Sequence, residues 1–209
     1  MSTLPIMAQH SVAPGAKRRQ IILASTSPFR RQLLARLQIP FETADPAIIE
    51  APVPGELPQD TAIRLAIAKA RAIAGRFPDA LIIGSDQVAF GMRRYFGKPG
   101  DRRRAVSQLA EMSGKEITFH TAVAVHDSAT GSTQSTCVPT EVRFRHLAGD
   151  EIERYVDADQ PLNCAGSAKA ESLGIALLEH VRGDDPTALI GLPLIALCAM
   201  LRHQGVQLP

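Results

Sequence analysis

From residue 20 onward the apolar and polar positions fall into blocks whose period changes several times. IILAS (21–25) is short and continuously apolar, which predicts a buried first strand. Ser27 and Pro28 follow, a serine suited to capping and a proline suited to the first helical position, so a helix is predicted through FRRQLLARL. A second short strand near Phe41 leads into DPAIIEAPVPGELP (45–58), whose prolines predict a long loop instead of regular structure. From Pro58 to Arg76, Ala62, Leu65, Ala66, Ala70 and Ile73 recur at helical spacing, while Arg64 and Lys69 fall elsewhere on the wheel.

LIIGSD predicts a third strand ending at Asp86, and a glycine-bearing turn region then reaches GKP (97–99). Asp101 opens a further helix, DRRRAVSQLAEM. Two β-rich runs, ITFHTAVAVHD and TQSTCVPTEVRFRHL, flank the turn signal SATGS and predict an antiparallel hairpin. A helix over 149–157, a strand over LGIALLEHV and a last helix over LPLIALCAMLRHQG complete the chain. This order predicts the α/β class, with a mixed sheet flanked by helices and ligand sites at strand ends. Residues 1–18 read as a flexible tail before one domain over 19–209.

Composition narrows the function classes. With 45% apolar and 21% charged residues the chain is ordinary globular material. A formal charge of +2, despite the cluster Arg102, Arg103 and Arg104, argues against long nucleic acid as a partner. Three widely spaced cysteines, Cys137, Cys164 and Cys198, form neither a disulfide framework nor a zinc motif and fit a cytoplasmic location. No run of about twenty apolar residues is present, so no membrane span is expected.

Several segments could carry chemistry. In ASTSPFRR a strand hands over to a helix, so free backbone N–H groups, Ser25 and Arg30 or Arg31 would suit a phosphate. From this segment alone, an ordinary capped helix with a solvated arginine pair is the simpler explanation. Lys69, Lys98 and Lys169 would add positive charge if folding joined them, although each alone reads as a solvated surface lysine. Glu50, Asp86 and Glu171 stand where a carboxylate could reach a cleft, and a pair of them could hold Mg²⁺ and activate water. Histidine ligand spacing, a P-loop and a serine-hydrolase elbow are all missing from the sequence.

LASTSPFRR, the loop acid Glu50, GSDQV, GKP and CAGSAKAE followed by LGI and IGLPL stand in the order found in the Maf family, which the chain resembles over roughly residues 20–203. The resemblance implies a nucleotide pyrophosphatase that cuts a nucleoside triphosphate to monophosphate and diphosphate with a divalent cation, Mg or Mn. It also implies a fold similar to inosine triphosphate pyrophosphatases, an elongated mixed sheet with a deep cleft between two lobes. The family's catalytic acid falls on Asp86, its phosphate-binding residues on Ser25, Arg30, Lys69 and Lys98, and its metal-binding acids on Glu50 and Asp86. Base choice falls on Phe29, Gln87 and Glu171, and these three make the chain resemble the branch that acts on 7-methyl-GTP. A cationic 7-methylguanine could gain cation–π attraction from Phe29 and donate its N1–H and N2–H₂ edge to Glu171. A homodimer is compatible with this reading.

The sequence departs from the pattern at Ile49, where an acid is common, and at Ala168 and Ser172, where Phe and Gly are more usual. GMRRYF also lacks an acidic turn. Two other functions compete: a pyrophosphatase for other nucleotides such as UTP or dTTP, and a nucleotide-binding regulator of septum formation, a role historically linked to the family.

Overall fold

The computed structural model describes residues 19–51 and 53–208, so the expected tail over 1–18 lies outside the described residues. Seven strands form one mixed sheet: β1 (Gln20–Ala24), β2 (Glu42–Ala44), β3 (Ala80–Gly91), β4 (Arg94–Phe96), β5 (Glu116–Asp127), β6 (Thr133–Phe144) and β7 (Leu178–Arg182). Their order is β2-β1-β3-β5-β6-β7, with β4 also on β3. β1 is parallel to β2 and β3, and the remaining pairs are antiparallel. Five helices flank the sheet: α1 (Pro28–Ala35), α2 (Pro58–Ala72), α3 (Arg102–Met112), α4 (Gly149–Asp159) and α5 (Leu194–His203). The expected mixed α/β class is therefore present. Among the described residues no helix is long and apolar enough to cross a membrane.

β1 shows why its sequence carries no polar face. Ile21 and Leu23 pack with α1 and α5, whereas Ile22 and Ala24 pack on the other side with Ala70 and Ile73. A parallel strand covered on both faces reads as a continuous apolar run. A second core, around Phe96, Leu109, Phe119, Phe144 and Val156, lies toward the other end of the long strands. β3 and β5 contribute to both cores, and β6 to the second. Pro139 is tolerated in β6 because β7 pairs only with positions 141–144 of that strand, leaving Pro139 on an open edge.

The structure corrects three expectations. β3 does not end at Asp86 but continues to Gly91, because β5 pairs with it without a break from Leu81 to Phe90. The expected turn region is instead a tight β3–β4 hairpin whose two central residues, Met92 and Arg93, have φ of 49° and 60°. The strand expected over 173–181 begins only at Leu178, after a 3₁₀ turn at Leu173–Leu177. Gly174 explains that turn, since a Cβ there would lie 2.6 Å from the Lys169 carbonyl oxygen and the chain must curl against Lys169.

Candidate active site

The polar residues in the middle of β3 have a topological cause. β1 pairs with β3 only as far as Ile83, and the pairing of β3 with β4 begins only at Ala89, so positions 84–88 face no strand on that edge. A cleft of about 810 Å³ opens there, within the range of small-molecule sites. Alternation along the strand then sends neighbours to opposite faces. Asp86 turns to α2, while Ser85 and Gln87 turn to the 188–191 segment.

Helix α2 lies unusually close to the strand. A Cβ on Gly84 would sit 2.0 Å from the Ala66 carbonyl oxygen, so only glycine admits the helix backbone at this distance. Buried Ala62, Ala66 and Ala70 give the helix a shallow face that matches it. The consequence is Lys69: only 3% exposed, it reaches Asp86 Oδ1 at 2.6 Å and Glu50 Oε1 at 2.7 Å. This corrects the reading of Lys69 as a solvated lysine, because the close approach leaves its ammonium nowhere but the cleft floor. Lys98, which stays exposed, reaches the other oxygen of Glu50 at 3.3 Å.

Burial works to raise the Glu50 carboxyl, but hydrogen bonding and charge attraction from Lys69, then Lys98, outweigh it and hold the pKa below the usual range. Ile49, beside it, is 89% exposed. Glu50 and Asp86 are thus two carboxylates within reach of one ammonium. Among the described residues no three His, Cys, Asp or Glu side chains gather into a metal site. The pair nevertheless suits a hard cation that completes its shell with water and substrate oxygens, as Mg²⁺ commonly does.

The strand-to-helix corner forms the adjoining wall. Ser27 caps α1, accepting from the Arg30 N–H at 3.4 Å, and Ser25 Oγ accepts from the Ser27 N–H at 3.1 Å. Arg30 Nε donates to the Gly191 carbonyl at 2.8 Å, an oxygen that Ser85 Oγ also approaches at 2.8 Å. Desolvation pulls the Arg30 pKa down, opposed by the nearby charges of Asp86 and Glu50. Asp185, buried in the chain, braces this segment: its carboxylate accepts from Thr187 N and Oγ1 and from Ile195 N. Sequence reading missed Asp185, whose only signal was an acid a few residues ahead of a helix.

Phe29, Gln87 and Glu171 all line the same cleft. Phe29 belongs to none of the buried clusters, so it is not a core residue of α1. The Gln87 amide NH₂ donates to Thr121 Oγ1, Ala188 O and Leu189 O at 2.9–3.1 Å, which engages it with the protein. Glu171 is exposed to the cleft, yet desolvation by the walls, with Asp159 adding repulsion, holds its pKa above the ordinary value. Lys169 does not join Lys69 and Lys98, because its ammonium donates to the Asp159 carbonyl.

Comparisons with known proteins agree with this architecture. The chain is 59% identical over 190 residues to a protein of Aromatoleum aromaticum named 7-methyl-GTP pyrophosphatase, covering 91% of this chain and 98% of that one. Proteins of the same name from Polaromonas sp. and Nitrosospira multiformis are 55% and 53% identical over 91% of this chain, covering 87% and 96% of their own lengths. Among solved structures, the Staphylococcus aureus Ham1 protein superposes with a TM-score of 0.51 at 14% identity, covering 89% of this chain and all of that one, and so shares the fold. The expected likeness to inosine triphosphate pyrophosphatases is met at this level of fold. The family model described as Maf-like protein matches residues 20–204, and the chain belongs to the Maf family.

Proposed function

We propose that this protein hydrolyses 7-methyl-GTP to 7-methyl-GMP and diphosphate. The observation that carries the reading is a single cleft lined both by the Asp86–Lys69–Glu50 ion-pair cluster and by an aromatic side chain and a carboxylate, Phe29 and Glu171. The names of relatives at 53–59% identity support the same substrate.

In this reading Asp86 accepts a proton from a water whose oxygen attacks the α-phosphorus. The new P–O bond replaces the bond to the β-phosphate oxygen, and diphosphate leaves. Lys69 fixes the orientation of Asp86 and, with Lys98 and Arg30, offsets charge developing on the phosphates. Glu50 and Asp86 would hold a divalent cation, Mg or Mn, which when bound neutralises phosphate charge. Phe29 stacks on the cationic base and Glu171 accepts from its N1–H and N2–H₂ edge. Gln87 shapes this end by tying β3 to residues 188 and 189.

Diphosphate release from 7-methyl-GTP, GTP, UTP and dTTP, with Mg²⁺ or Mn²⁺, tests the proposal. The highest kcat/KM is expected on 7-methyl-GTP, with the monophosphate as coproduct. Equal or faster turnover of UTP or dTTP would overturn the substrate, and release of orthophosphate would overturn attack at the α-phosphorus.

A further inference from the structure

Asp159 is the last residue of α4, where the helix dipole favours a cation and a carboxylate is misplaced. Its side chain is only 8% exposed, and Oδ2 has no hydrogen-bond partner. A buried carboxylate oxygen without a donor is costly and rarely kept for packing alone. Its other oxygen accepts from Ser172 Oγ at 2.8 Å and lies 3.9 Å from Lys169 Nζ.

Lys169 is held firmly in this arrangement. Its ammonium donates to the Asp159 carbonyl, its N–H donates to Tyr155 Oη at 3.0 Å, and its own carbonyl accepts from the Ser172 N–H at 3.0 Å. Two residues further on, Glu171 has no ion pair and no hydrogen bond from another residue's side chain among the described residues, although Lys169 is the cation closest to it in sequence. Two carboxylates against one ammonium leave this end of the cleft negative. That charge suits a cationic base, and an unoccupied Glu171 carboxylate suits its donor edge.

We propose that Asp159 is a positioning residue that sets base selectivity by holding the Lys169 ammonium away from Glu171, which leaves that carboxylate to a cationic, donor-bearing purine. The inference rests on the substrate reading above. It assigns a cause for Ser172 as well, whose hydroxyl fixes the Asp159 carboxylate from the third side. Without the Asp159 charge, the Lys169 ammonium keeps only its hydrogen bond to the Asp159 carbonyl, loses the carboxylate's attraction and is free to swing to Glu171, in competition with the base.

Steady-state kinetics on 7-methyl-GTP and UTP with Asp159→Asn, Lys169→Met and the double variant test this. Asp159→Asn is expected to raise KM for 7-methyl-GTP about tenfold, the loss of one hydrogen bond to a charged group, with kcat and the UTP parameters within about twofold. Adding Lys169→Met should restore KM to within about threefold of wild type, because no ammonium remains to occupy Glu171. The acid limb of kcat/KM should move to lower pH in Asp159→Asn and return in the double variant. Equal impairment of the single and double variants, or no change in KM, would overturn the proposal. Should Asp159→Asn not fold, Lys169→Met alone decides: KM within about twofold supports it, and a tenfold rise would assign Lys169 a direct nucleotide contact and overturn it. A wild-type preference for UTP would instead defeat the substrate reading, whatever Asp159 does.

Discussion

Around Asp86 the side chains of Asp86, Lys69, Glu50 and Lys98 are each paired with an opposite charge, whereas the Glu171 carboxylate, lining the same cleft, has no ion pair among the described residues. Glu50 is pulled down in pKa by two lysines, and Glu171 is pushed up by burial and by Asp159. The first arrangement is preorganised for a polyanion whose charge is constant among all nucleotides. The second keeps one group available for whatever distinguishes one base from another. In the proposed function, rate and selectivity thus belong to different groups lining one cavity.

The largest expected effect comes from breaking the first end. Asp86→Asn should lower kcat by about 10²–10⁴-fold on every substrate, the usual contribution of a positioned acid or base, while nucleotide still binds. Retained hydrolysis in that variant would remove Asp86 from the chemistry. Lys69→Met acts on stability as well, since it strands Asp86, 6% exposed, without its counter-ion. A loss of about 3–5 kcal/mol in urea unfolding is expected, as for one partner of a buried ion pair. Lys98→Met, at an exposed site, should leave stability within about 0.5 kcal/mol and so separates buried from solvated lysines.

The second end is sharpened by pH. A carboxyl with a raised pKa is ionised only above that value, and its ability to accept from a base edge disappears as pH falls through it. KM for 7-methyl-GTP should therefore rise on the acid side starting above about pH 4.3, the ordinary glutamate value. In Glu171→Gln this acid limb should vanish from KM, while the dependence of kcat on pH persists.

Smallest of all in activity is the effect of the β3–β4 turn, which lies in neither end. Met92 and Arg93 both occupy positive φ, where asparagine and glycine are favoured, so Met92→Asn with Arg93→Gly should add about 1 kcal/mol of stability. No substrate's kcat/KM should change. A shift in base preference would extend the selective region beyond the cleft.

Much of this was legible in the sequence, and the gaps have physical reasons. The apolar blocks marked β1, α2 and the β5–β6 hairpin because each answers to local periodicity. Asp86 was legible as a candidate acid, but its place inside β3 was not, because the interruption belongs to the neighbouring strands and not to β3 itself. Lys69 looked solvated on a helical wheel, since a wheel carries no information about a glycine on another element that draws the helix onto the sheet. Gln87 was recognisable only through family resemblance, and its hydrogen bonds to residues 188 and 189 span about a hundred positions. Asp185 and Asp159 act through tertiary contacts that leave no periodic trace.

The division of labour between the two ends is tested most directly by kcat and KM of Phe29→Ala and Glu171→Gln on 7-methyl-GTP, GTP, UTP and dTTP side by side. Each substitution is expected to cut the preference for 7-methyl-GTP over UTP by about tenfold, the worth of one cation–π or charge-assisted contact, with kcat on UTP unchanged. A uniform loss of rate across all four bases would contradict it and place Phe29 and Glu171 with the catalytic end.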